Sequence, residues 1–169
     1  MITIATPDDV SALEKLVNSA YRGETSKLGW STEAHLLRGN RITEDELLEI
    51  FNDKQNTILK FTENNKIIGC VLLSNKENKL YLGMLAVSPE LQNSGIGKKF
   101  LEKAEEYALK LGLPKIVMTV ITIRESLIAW YKRHGYIDHG VREPFPLNGT
   151  DAVISDQPLE FVVLEKKIV

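Results

Sequence analysis

Between Leu80 and Ile123 the chain reads as an apolar strand (Leu80 to Val87), a turn holding Gly95 and Gly97, an amphipathic helix (Gly97 to Leu111) and a second, nearly continuous apolar and β-branched run (Lys115 to Ile123). Phe100, Leu101, Ala104, Tyr107, Ala108 and Leu111 recur at helical spacing, and Gly112 stops the helix with Pro114 just beyond. Strand, helix and strand joined at this length cross over right-handed, so the two strands lie parallel in one sheet. The second run then belongs at the sheet's centre, buried on both faces.

The flanking segments predict what surrounds that unit. Ile2 to Ala5 is a short opening strand, and Thr6-Pro7-Asp8-Asp9 starts a helix carrying Val10, Leu13, Leu16, Val17 and Ala20 on one face up to Tyr21. Arg22 to Ile42 has weak periodicity, and Thr43 and Glu46 are spaced as a capping box for a second helix. Thr57 to Thr62 and Lys66 to Leu73 read as strands joined at Glu63-Asn64-Asn65, and with Leu80 to Val87 they make an antiparallel meander. After the crossover come a short helix, Glu125 to His134, and closing strands at Tyr136 to Val141 and Glu160 to Leu164. The Pro- and Gly-rich stretch from Glu143 to Gly149 separates those strands. The order β-α-α-β-β-β-α-β-α-β-β describes an α+β fold, one mixed sheet with helices on both faces. With 169 residues and no linker, repeat or low-complexity tract, residues 1–169 are expected to form one domain.

Bulk chemistry excludes several function classes. A net charge of -2, with Lys98-Lys99 and Lys166-Lys167 as isolated pairs and not a stripe, gives no footprint for nucleic acid or an anionic membrane. The N-terminal stretch lacks a signal-peptide pattern and no apolar run reaches membrane-spanning length, so a cytoplasmic protein is expected. The single cysteine, Cys70, lies in Ile67-Ile-Gly-Cys-Val-Leu-Leu and reads as a core residue rather than a nucleophile. His35, His134 and His139 show no metal-ligand spacing, so no metal is expected.

The turn ahead of the crossover helix is the strongest functional signal. Gln92-Asn93-Ser94-Gly95-Ile96-Gly97-Lys98-Lys99 combines glycines, which let a ligand approach the backbone, with a helix start whose N–H groups and dipole favour an anion. A Walker-type loop needs Gly five residues before the Gly-Lys, where Gln92 stands, and Ser or Thr after the Lys, where Lys99 stands. A dinucleotide fingerprint needs a small residue where Phe100 stands. What remains is Gln-x-x-Gly-x-Gly, preceded by a strand and Val-Ser-Pro-Glu. This resembles the acyl-coenzyme A pyrophosphate loop of the GNAT superfamily of N-acetyltransferases, whose element order is also similar to this chain's throughout. A second stretch, Leu127-Ile-Ala-Trp-Tyr-Lys-Arg-His-Gly-Tyr, resembles that family's helix ending in Leu-Tyr-x-x-x-Gly-Phe.

The resemblance implies acetyl-CoA as co-substrate and an amine acceptor. By match, Tyr131 is the general acid that protonates the departing thiolate, a role suited to a phenol of pKa near ~10. The strand end Leu85, Ala86 and Val87 is implied to pair with the pantetheine amides and to place one N–H near the thioester oxygen. Gln92, Asn93, Ser94, Gly95, Ile96, Gly97 and Lys98 are implied to hold the pyrophosphate. Many members place an Asn seven residues before the Tyr; here Arg124 stands there, and Arg124 or Ser126 is a candidate substitute. The region after the first helix builds the acceptor pocket in the family, which makes Tyr21, Arg22, Trp30 and Arg41 candidates for acceptor binding. Arg22, Arg38 and Arg41 are candidates to hold an acceptor carboxylate. A neutral amine must attack, so a base is wanted, with Glu33 first and Glu24 and His35 after it.

These readings converge on an acetyl-CoA-dependent N-acetyltransferase using direct attack in a ternary complex, because no activated Cys or Ser is evident. The alternative is a non-catalytic GNAT-like module that binds CoA or a protein partner. The acceptor is a small-molecule or protein amine, nucleic acid and membrane partners are not expected, and a homodimer is possible.

Overall fold

The computed structural model describes residues 1–22, 32–34, 37–38, 40–145, 152–153 and 159–168, with residues 37, 38, 152 and 153 described by backbone alone. The elements are, in order, β1 (Ile2–Ile4), α1 (Val10–Tyr21), β2 (Leu37–Arg38), α2 (Glu44–Asn52), β3 (Asn56–Glu63), β4 (Lys66–Asn75), β5 (Leu80–Val87), α3 (Ile96–Leu111), β6 (Lys115–Ile121), α4 (Glu125–Arg133), β7 (Ile137–Pro144), β8 (Ala152–Val153) and β9 (Glu160–Lys167), and all but β2 and β8 answer to segments expected from the sequence. Local chemistry explains the boundaries. Pro7–Asp9 forms a 3-10 turn ahead of α1, and Thr6 and Asp9 exchange capping interactions there. Thr43 accepts the Glu46 N–H at 3.2 Å at the head of α2. Gly112, at φ 70°, closes α3 in the left-handed conformation. Asn64 and Asn65, both at positive φ, make the two-residue turn between β3 and β4.

Seven strands form one mixed sheet in the order β1-β3-β4-β5-β6-β9-β7. Only β5 and β6 run parallel; every other neighbouring pair is antiparallel. The crossover through α3 is thus the unit expected from the sequence. A second pairing, β2 with β8, brings Leu37 opposite Val153. Strands of two residues are too short to show alternation, so this pairing is not legible in the sequence.

Helices cover both faces, over two separate cores. On one face α3 and α4 pack Phe100, Leu101, Ala104 and Tyr131 against Leu73, Leu80, Leu82, Ile116 and Leu164. On the other, α1 and α2 pack Leu13, Val17, Ala20 and Leu47 against Ile58, Cys70, Met84 and Ala86. No helix among the described residues is long and apolar enough to cross a membrane.

The feature that positions the site lies in β5. Cys70 pairs with Ala86 and Leu72 with Gly83, so two residues of β5, Met84 and Leu85, face one of β4. This bulge puts the non-glycine Met84 at φ 51° and turns the strand. Against β6, β5 pairs only at Leu80↔Ile116 and Tyr81↔Val117. Beyond Tyr81 the two parallel strands part, and a cleft opens between their C-terminal ends.

Tyr136 is 2% exposed, and its hydroxyl has no hydrogen-bond partner among the described residues. An unpaired buried hydroxyl opposes folding, whereas the ring packs edge-on to Tyr131 at 5.8 Å. Tyr136→Phe keeps the ring and removes the orphan. Its unfolding free energy in urea is expected to be unchanged or higher by about 1 kcal/mol, and a loss of that size would show that the hydroxyl is satisfied.

Candidate active site

Ser88 follows the bulged strand and anchors its end, its N–H donating to the Ile68 carbonyl at 2.8 Å. Pro89–Leu91 then makes a 3-10 turn. Asn93 (φ 73°) and Gly95 (φ 86°) both adopt the left-handed conformation, which folds the loop back under the start of α3. Gln92 braces it, with its side-chain amide donating to the Val87 carbonyl at 3.1 Å. Gly95 is the N-cap and brings no capping side chain, and no acid stands in the first turn. The N–H groups of Ile96, Gly97 and Lys98 therefore point out of the helix without an intrahelical acceptor; the next, Lys99 N–H, bonds to Gly95 O at 3.2 Å. Gly97 must also be small, because a Cβ there would meet the Trp130 ring at 3.2 Å.

These groups line a cavity of about 320 Å³ walled by Leu85, Val87, Gln92, Gly95, Ile96, Gly97 and Lys98 on one side and by Leu127, Trp130, Tyr131 and His134 on the other. The second wall is one face of α4, spaced at intervals of three and four. Uncapped N–H groups, a positive helix end, Lys98 and an apolar trough suit a long ligand with an anionic middle and an apolar arm. Lys99 turns elsewhere, its ammonium lying over the Phe61 ring at 5.5 Å.

A second cavity, about 270 Å³, lies on the other side of the splayed strands. Tyr21, Leu85, Leu127 and Tyr131 line both cavities, so the two meet at these four residues. The Tyr21 hydroxyl donates to the Leu85 carbonyl and ties α1 to the bulge. Burial pushes the Tyr21 phenol up to about 12. Tyr131 is 5% exposed, with the Trp130 ring edge-on at 5.0 Å. Burial first, then the neighbouring Tyr21 and Tyr136, hold its phenol well above the usual value, so it keeps its proton at any ordinary pH. Its hydroxyl makes no hydrogen bond among the described residues.

The second cavity carries a buried ion triad. Glu33 Oε1 accepts from Arg22 Nε at 3.2 Å, and Glu33 Oε2 accepts from an Arg124 guanidinium nitrogen at 3.1 Å. All three side chains are less than a tenth exposed. The Glu33 N–H donates to the Tyr21 carbonyl at 2.7 Å, which fastens this segment to the end of α1. Arg41 and Arg124 lie over the Tyr21 ring at 5.5 and 6.0 Å.

The residues singled out in the sequence separate into groups. Leu85, Val87, Gln92, Asn93, Gly95, Ile96, Gly97 and Lys98 line the first cavity. Tyr21, Arg22, Glu33 and Arg41 line the second, and Tyr131 stands at the junction. Ala86 points into the opposite core, and its backbone pairs with Cys70. Ser94 is exposed, its hydroxyl donating to the Leu91 carbonyl. Ser126 is exposed and lines neither cavity, while Arg124 lines the acid-bearing one. Trp30, Glu24 and His35 lie outside the described residues, as does the Arg38 side chain. Leu127, Trp130 and His134 were not singled out as lining residues, although their spacing with Tyr131 carried the signal. The Glu33–Arg124 contact spans 91 residues and had no local signal. Cys70 is fully buried and its thiol is pushed up to about 12, so it supplies no nucleophile. Among the described residues no cluster of His, Cys, Asp and Glu suits a metal ion.

Comparison with known proteins agrees with this geometry. A sequence profile of the acetyltransferase (GNAT) family matches residues 16–136. The ribosomal-protein-S18-alanine N-acetyltransferase of Escherichia coli superposes with a TM-score of 0.74 at 16% identity, covering 99% of this chain and 93% of that one. An N-acetyltransferase from Thermoplasma acidophilum in complex with coenzyme A gives 0.69 at 20% identity and 99% coverage of both chains. A putative acetyltransferase of Salmonella typhimurium with acetyl-CoA gives 0.71 at 16% identity, covering 100% of this chain and 94% of that one.

Two measurements test the electrostatics. Glu33→Ala leaves Arg22 and Arg124 buried without the carboxylate they share, and is expected to cost about 3 kcal/mol of stability by urea unfolding; a residue acting only as a proton acceptor would leave stability unchanged. Tyr21, Tyr131 and Tyr136 all have phenols raised by burial. Folded values above the unfolded ~10 mean that stability is intact below that pH and falls as pH rises through it. The thermal midpoint should stay level to about pH 9 and then drop, each such phenol contributing about 1.4 kcal/mol per pH unit. A level midpoint to pH 11 would contradict this.

Proposed function

The chain belongs to the acetyltransferase (GNAT) family, and from that premise we propose that residues 1–169 act as one catalytic domain that moves an acetyl group from acetyl-CoA to a primary amine by direct attack in a ternary complex. The observation that carries the reading is the meeting of two unlike cavities at Leu85 and Tyr131. Transfer between two bound substrates needs such a junction, because each must reach the reacting carbon from its own side.

The residues of the first cavity fit acetyl-CoA. The acid-free helix start with its uncapped N–H groups suits the pyrophosphate, and the unpaired edge of β5 beyond Tyr81 suits the pantetheine amides. When bound, the thioester supplies an activated acyl group and a thiolate leaving group. Everything else falls to the chain. Ile96, Gly97 and Lys98 fix the anionic middle of the ligand, and Gln92 braces the loop against Val87. The β5 bulge aims a backbone N–H at the developing negative charge on oxygen. Tyr131, protonated and at the junction, gives its proton to the departing sulfur, and the proton that the attacking nitrogen loses as the amide forms restores the phenol. With both Glu33 oxygens on guanidiniums, we assign Glu33 to holding the acceptor wall in place. The buried, protonated Cys70 supports a route without an acyl-enzyme.

Isothermal titration with acetyl-CoA, followed by thiol release across an amine panel, tests the reading; absence of acetyl-CoA binding would remove it. Tyr131→Phe should lower kcat about 100-fold while leaving the acetyl-CoA affinity unchanged. Unchanged kcat would take Tyr131 out of the proton transfer.

A further inference from the structure

We propose that the acceptor is an amine that also carries a carboxylate, a free amino acid or a close analogue, and that Arg41 binds this carboxylate. This deepens the acetyltransferase reading and rests on it.

Among the described residues, the charge around the second cavity is unbalanced. Arg22, Arg41 and Arg124 stand in its lining against one acid, Glu33. Glu33 lies between Arg22 and Arg124 and leaves Arg41 outside the triad. Arg41 makes no ion pair with a carboxylate among the described residues. Its guanidinium is half-buried and held over the Tyr21 ring at 5.5 Å, which fixes its position at the cavity wall. A guanidinium so placed is a fork-shaped donor for a planar carboxylate.

The rest of the cavity says what is attached to that carboxylate. Tyr21 joins Arg41 to the junction, since its ring carries the guanidinium and its hydroxyl donates to Leu85. An acceptor held at Arg41 therefore reaches the junction across one aromatic ring, which suits an amine and a carboxylate on neighbouring atoms. The far wall includes Met118, Val120, Phe145 and Phe161, an apolar surface for a side chain. A space of about 270 Å³ takes one residue-sized molecule. The same excess of positive charge repels a polyamine or a lysine-rich peptide. It also favours the neutral form of a nearby amine, which is the form that attacks.

The test is thiol release from acetyl-CoA with the free amino acids, their carboxamides, the matching decarboxylated amines, and spermidine. At least one amino acid should exceed its own carboxamide in kcat/KM by about 10- to 100-fold. Arg41→Gln should raise KM for that amino acid by a similar factor, leave KM for acetyl-CoA unchanged, and erase the preference for acid over amide. Arg41→Lys should recover part of it, which a merely structural role would not produce. The inference is overturned if amides, simple amines or spermidine react as well or better. It is overturned equally if no carboxylate-bearing amine reacts with a protein that binds acetyl-CoA, or if Arg41→Gln lowers acid and amide alike. Failure to bind acetyl-CoA at all would instead overturn the acetyltransferase reading.

Discussion

Everything in the site depends on one broken pairing. Two parallel strands hydrogen-bonded along their length would leave no room between them. Here β5 and β6 bond only through Leu80 and Tyr81, and the extra residue of the bulge at Met84 and Leu85 turns β5 away. The left-handed Met84 is a cost that ordinary strand geometry avoids, on the order of 1 kcal/mol. It is held there by the surrounding core, where Met84 is 5% exposed and its carbonyl lies near the Cys70 thiol. The parted strands leave a polar edge inside the fold, the bulge directs it, and the two cavities form on either side.

One wall of the second cavity is stiffened by buried charge. Arg22 follows α1, Arg124 precedes α4, and Glu33 comes from the segment between α1 and α2. Their ion pairs join three parts of the chain that share no strand. Buried charges of this kind add little net stability compared with apolar side chains, but losing one member is expensive. That asymmetry fixes position well, because any displacement of Glu33 takes its carboxylate from two guanidiniums at once. Placing Arg124 where the family resemblance leads to an Asn fits the same logic, since the side chain reaches Glu33 and lines the second cavity.

The sequence disclosed whatever was local. The turn at Asn64 and Asn65, the caps at Thr43 and Gly112, and the crossover from Leu80 through α3 all depend on neighbours within one or two turns. The phosphate-type loop was legible for the same reason: the left-handed Gly95 at the head of α3 is a short-range requirement. The bulge was not legible, because Leu80 to Val87 alternates like any strand and Met84 carries no mark of positive φ. Nor was the pairing of Glu33 with Arg124, which is made by tertiary folding across most of the chain. Ser94 and Ala86 were singled out for their backbones, and their side chains are directed elsewhere.

The two cavities also differ in how sequence change reaches them. The first cavity presents backbone N–H groups at the head of α3, and substitution alters these only where it disturbs φ or the approach of Trp130 to Gly97. The second cavity is lined by side chains, Tyr21, Arg22, Glu33, Arg41, Arg124 and Phe145 among them, drawn from distant parts of the chain. A single replacement there changes charge or shape without touching the helix start. Under the proposed function, one fold can therefore keep its donor site while the opposite site changes, because different residues build the two cavities.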